Sequence, residues 1–173
     1  MADPRLVRLE TDAEGLRRLA RESGGAIAIE AAEGVPPRRY VLTIRCPGVA
    51  QLVGGEPRIA SAHQVEVALG VRYPLETPVA RFLTPIFHPH VFTDGRVCLG
   101  HRTGLTERLE DLVVRLGRLI QYDPELIDEN SPANRAALAF VKSRGTALPF
   151  GRVTFRAAGA KRPAGPVRWS DRS

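Results

Sequence analysis

Thr84–Pro85–Ile86–Phe87–His88–Pro89–His90–Val91–Phe92–Thr93–Asp94–Gly95–Arg96–Val97–Cys98–Leu99 holds two of the four histidines and one of the two cysteines of the chain. It is too short and too rich in proline to pack as an element of its own. Pro85 and Pro89 fix their own φ and push Thr84 and His88 out of helical geometry, so the stretch reads as an ordered loop. Asp94–Gly95 supplies a tight turn just before Cys98. A thiol delivered to a surface on a stiff loop, with imidazoles close in sequence, suits acyl or thioester chemistry. The thiolate is the reactive form, and a neighbouring donor stabilises an oxyanion.

Working outward, Tyr73–Pro74, Pro78, the strand-like Val79–Ala80–Arg81–Phe82, His88–Pro89–His90, Gly95 and Cys98–Leu99 recur at fixed offsets. In this pattern the region from Tyr73 to Leu99 resembles the core of ubiquitin-conjugating enzymes, in which a His-Pro-Asn tripeptide precedes a catalytic Cys-Leu. The third residue of the tripeptide stands eight positions before the cysteine, as in that family, but it is His90 here instead of asparagine.

The resemblance implies that Cys98 accepts a ubiquitin-like protein as a thioester from an activating (adenylating) enzyme and passes it to an amine of a target. It implies that His90 takes the oxyanion-stabilising or loop-holding place of the asparagine. His88 and Pro89 are expected to brace the loop, and an acid before the last helix, assigned to Asp128, to orient the incoming amine. Arg5 and Arg8 on the first helix and the apolar Leu75 are the expected partner-binding residues. The tryptophan and Ser-Pro that usually follow the cysteine are missing, and Leu105 to Arg108 stand there instead. Two rivals remain open: a catalytically weak or inactive protein of the same fold that binds a partner, and a cysteine hydrolase using Cys98 with His90. Few lysines and a plain one-domain design fit a bacterial ubiquitin-like conjugation system.

The rest of the chain predicts an α+β fold. Pro4 to about Arg21 has Leu6, Leu9, Leu16 and Leu19 at helical spacing and ends at Ser23–Gly24–Gly25. Strands are expected at Ala26–Ala31, Arg39–Cys46, His63–Leu69 and Val79–Leu83, giving a four-stranded antiparallel meander. Val49 to Ala62, with Gly54–Gly55 and Pro57, reads as a loop longer than the resembled family's usual link. Leu109–Ile120 is apolar at spacings of three and four. Ser131–Pro132 opens a further helix, with Pro132 in its first turn. The catalytic domain is placed at 1–145, followed by a loosely held basic extension, 146–173.

Composition limits the alternatives. No apolar run spans a bilayer, and Met1–Arg5 lacks a secretory design, so a cytoplasmic protein is expected. The net charge of +6 is a tail property: from Lys142 onward eight cations face Asp171 alone, which leaves −1 on residues 1–141. Without aromatic or motif support this does not make a nucleic-acid binder. Cys46, in an apolar strand, reads as a small buried hydrophobe and not a disulfide partner. His88, His90, Cys98 and His101 are four ligands that a zinc ion accepts. Their loose spacing, and an extended Val97–Leu99 that turns Cys98 and His101 apart, argue against a metal, and no cofactor is expected.

Overall fold

The computed structural model describes residues 3–100, 106–144 and 151–156. Asp3 accepts the N–H of Arg5 and caps α1 (Pro4–Glu22), with Pro4 at its first position. Leu9, Leu16 and Leu19 of α1 are buried against the sheet, whereas Leu6 and Val7 stay 41% and 46% exposed. Four strands then form an antiparallel sheet in the order β1–β2–β5–β6: β1 (Ile27–Gly34), β2 (Pro37–Ile44), β5 (His63–Ala68) and β6 (Val79–Phe82). Strict alternation in β5 puts His63, Val65 and Val67 on the buried face.

The stretch expected to be a loop is a hairpin, β3 (Gly48–Val53) and β4 (Glu56–Ala60), which falls between β2 and β5 in sequence and forms a separate two-stranded sheet. Gly54 and Gly55 both have positive φ (59° and 83°), the two-residue turn that twists with its strands, so these glycines close a hairpin instead of marking a coil.

Helix α2 spans Leu109–Ile120 as its periodicity requires, with Leu112, Val113, Leu116 and Ile120 buried in one cluster with α1 and the sheet. A single 3-10 turn follows at Pro124–Leu126. The last described helix, α3, is Arg135–Arg144, later than Ser131–Pro132 led one to expect. Asn134 sets its start: the Asn134 side chain accepts the N–H of Ala137, while the N–H groups of Ala133 and Asn134 are spent on Pro89. A second, smaller core joins Val49 of the hairpin, Tyr122 and Phe140, with Phe87 against it.

Gly151–Arg156, expected in a loosely held extension, is docked on α2. Phe155 is 3% exposed and lies over Gly117, and the Gln121 side chain meets the main chain of Val153 at both N–H and C=O. Among the described residues no helix is long and apolar enough to cross a membrane.

Candidate active site

The active loop runs beside β6. Val97 N–H bonds Ala80 C=O (2.9 Å) and Phe82 N–H bonds Gly95 C=O (2.9 Å). Gly95 has φ 87°, and a Cβ there would stand 2.4 Å from the Phe82 oxygen, so the turn ahead of the cysteine admits only glycine. Cys98 donates its N–H to the carbonyl of His90 (2.8 Å), and its half-buried free thiol faces a cleft of about 630 Å³. Cys46 is 2% exposed, and desolvation pushes its thiol up to about 12. One cysteine is presented and the other sealed.

His88 is fully buried, and burial pushes its pKa down to about 3. Its Nδ1 accepts the N–H of His90 (3.0 Å), which puts the ring proton on Nε2. The ring meets Tyr122 edge-on at 4.8 Å. Pro89 C=O accepts from both Ala133 and Asn134 (2.8 and 2.9 Å), tying the loop to the approach of α3. Through these contacts His88 and Pro89 join the loop to Tyr122 and to the residues just before α3.

His90 is 6% exposed and its pKa is lowered by desolvation, an effect that Asp128 partly opposes. Its Nε2 accepts the N–H of Asp128 (2.8 Å), so the neutral ring carries its proton on Nδ1. The Asp128 carboxylate is exposed at the cleft rim, where Oδ1 accepts from Asn130 N–H (2.9 Å). Cys98, His90 and Asp128 therefore line one cleft.

Residues that the sequence did not single out complete it. Arg115 of α2 donates to Leu99 C=O (3.0 Å) and to Glu107 Oε2 (3.0 Å), and Ser131 also lines the cleft. The helical period of α2 marks Arg115 as off the core face, but only the fold shows that it meets residue 99.

The expected partner-facing residues divide. Leu75 is 70% exposed beside buried Tyr73. Arg5 reaches Gly70 C=O (3.3 Å). Arg8 turns inward instead, because fully buried Asp12 needs a cation: it bonds Asp12 (2.7 Å), the Tyr73 hydroxyl (3.1 Å) and Glu107 C=O. Among the described residues no three His, Cys, Asp or Glu side chains converge to hold a metal ion, and His101 lies outside those residues.

Comparison with known proteins agrees with this geometry. The sequence model described as ubiquitin-conjugating enzyme matches residues 59–139. Over 52 residues the chain is 46% identical to ubiquitin-conjugating enzyme E2 T of Mus musculus and of Homo sapiens, a stretch covering 29% of this chain and 26% of each relative. Over 45 residues it is 42% identical to ubiquitin-conjugating enzyme E2 S of Drosophila melanogaster, covering 26% of this chain and 22% of that one. The aligned stretch thus spans about a quarter of the length of these curated relatives. In fold, the chain superposes on the crystal structure of ubiquitin conjugating enzyme E2 UbcA1 from Agrocybe aegerita with a TM-score of 0.52 at 19% identity, covering 69% of this chain and 83% of that one. The motif, the family-model match and the fold point the same way: over residues 59–139 the chain is similar to ubiquitin-conjugating enzymes, and it shares their fold.

Proposed function

We propose that the protein is a conjugating-type transferase whose Cys98 carries a ubiquitin-like protein as a thioester. The observation that carries this reading is the presented thiol: Cys98 is half-buried in an open cleft, on a loop pinned from β6, α3 and the Asp128 segment, while Cys46 is sealed in the core. In loading, the Cys98 thiolate attacks the thioester carbonyl on the activating enzyme. A new S–C bond forms as the old one breaks, and the activating enzyme leaves as its own thiolate. In transfer, an amine attacks the same carbonyl, the C–N bond forms, Cys98 departs as thiolate and the amine proton passes to the cleft or to water. Exchange of one thioester for another is near neutral, whereas amide formation runs downhill.

His90 supports the transfer step through Nδ1–H, the donor left over once Nε2 is committed, and Asp128 at the rim orients the acceptor amine. With Nε2 already accepting from Asp128, His90 lacks a free basic nitrogen on that side, which counts against the hydrolase alternative. Exposed Leu75 and half-buried Arg5 are the proposed contacts for partner enzymes, and the basic stretch after residue 145 for an acidic partner surface.

The test is incubation with an adenylating enzyme, a ubiquitin-like protein and ATP. An adduct that thiol reductant removes is expected. Cys98→Ala should abolish it, Cys98→Ser should convert it to a reductant-resistant oxyester, and Cys46→Ala should leave it intact. An adduct that survives Cys98→Ala overturns the assignment.

A further inference from the structure

Tyr122 has a left-handed backbone (φ 55°), the only positive φ outside glycine among the described residues. A bulky residue holds that conformation at a cost of roughly 1–3 kcal/mol, and only where its surroundings over-determine it. Those surroundings lead to the active loop. Tyr122 is 2% exposed and packs with Val49 and Phe140, and its hydroxyl donates to the carbonyl of Phe87. On the other side of the same residue, Phe87 N–H bonds the carbonyl of Val49 in β3 (2.8 Å). Phe87 is thus held at both main-chain groups, by the hairpin and by the phenol. Burial holds the phenol well above its usual pKa, so the hydroxyl stays a donor.

From Phe87 the contacts run without a gap to the backbone of Cys98. The next residue is His88, whose ring rests against the Tyr122 ring at 4.8 Å and whose Nδ1 receives His90 N–H. His90 receives Asp128 N–H on Nε2 and Cys98 N–H on its carbonyl. We propose that Tyr122, together with the β3–β4 hairpin, positions His90 and the Asp128 segment for acyl transfer, with Tyr122 as a positioning residue that touches no reacting atom. The proposal rests on the thioester reading above. The hairpin is therefore part of the transfer apparatus, although it lies far from Cys98 in sequence. A displacement of about 1 Å in such a support costs transfer up to a hundredfold without touching the nucleophile.

Tyr122→Phe keeps the ring and removes the donor. Leu16→Ala, a core truncation in α1, controls for lost stability alone. The expected result for Tyr122→Phe is loading of Cys98 within about twofold of the parent and a discharge rate to free amine lowered about tenfold. Hydrogen-exchange protection of Asp128 N–H should fall about tenfold as well. Leu16→Ala should lower the unfolding midpoint yet leave discharge and Asp128 protection unchanged. If Tyr122→Phe behaves like Leu16→Ala, with stability lost but discharge and protection kept, the proposal is overturned. If the parent forms no thioester, the functional reading fails, and the Asp128 protection still decides whether Tyr122 holds the loop.

Discussion

His88 shows how a single motif residue turns into an energetic commitment. Its ring is sealed among Tyr122, His90 and the loop backbone, and burial holds it neutral down to about pH 3, whereas in the unfolded chain it binds a proton near its ordinary pKa. A lowered folded-state pKa means that the unfolded state takes up the proton first. The stabilisation is present in full above roughly pH 6.5 and drains away as the pH falls toward about 3, by roughly 4–5 kcal/mol for this group. His63 and His90 are shifted in the same direction by burial and add to the slope. Urea midpoints measured from pH 7.5 to pH 4 should therefore fall with acid, and His88→Asn should flatten the curve while lowering the plateau. A plateau without acid slope would show that His88 is protonated in the native state. For His90 the consequence reaches function: a proton on Nε2 removes the acceptor of Asp128 N–H, so discharge is expected to weaken in acid before the fold does.

At the level of elements, periodic segments were legible and composite ones were not. Helix α2 falls on the span its apolar spacing predicts, because one buried face dictates the period. The β3–β4 hairpin was hidden because its Gly-Gly turn and Pro57 read as loop composition while its strands pair only with each other. Cys98, His90 and Asp128 were found through a motif, but Arg115, Ser131 and Tyr122 carry no local signal and meet the loop only through the fold. The docked segment Gly151–Arg156 is a third composite case, since only the surface of α2 explains it. A Cβ on Gly117 would stand 2.4 Å from the Phe155 ring. In an open helix Gly→Ala stabilises by about 1 kcal/mol, so the two effects oppose each other. Gly117→Ala is expected to destabilise by about 1–3 kcal/mol through overpacking. In a Phe155→Ala background the same change should stabilise by up to about 1 kcal/mol. Chemical denaturation of the four chains measures this reversal of sign; two equal effects would mean that Phe155 does not occupy the Gly117 face.

Across the whole molecule, one buried carboxylate joins parts that are far apart in sequence. Asp12 is fully buried in α1 and accepts from Arg8 (2.7 Å), from the Tyr73 hydroxyl (2.5 Å) and from the N–H of Leu109 (3.2 Å), the first residue of α2. Arg108, at the N-cap of α2, offers no side-chain bond, so Asp12, 97 positions before Leu109, supplies the missing acceptor at the positive end of that helix. The same Arg8 also donates to Glu107 C=O, so the first helix, the segment before β6 and the start of α2 meet at one charge pair. Removing one partner strands the other charge in the interior, whereas removing both leaves only a packing problem. Asp12→Ala is therefore expected to cost about 3–5 kcal/mol, and Arg8→Met with Asp12→Leu much less than the sum of the single changes. If the double variant is as unstable as the sum of its parts, Asp12 acts through the Leu109 and Tyr73 bonds alone, and the ion pair is not what joins α1 to α2.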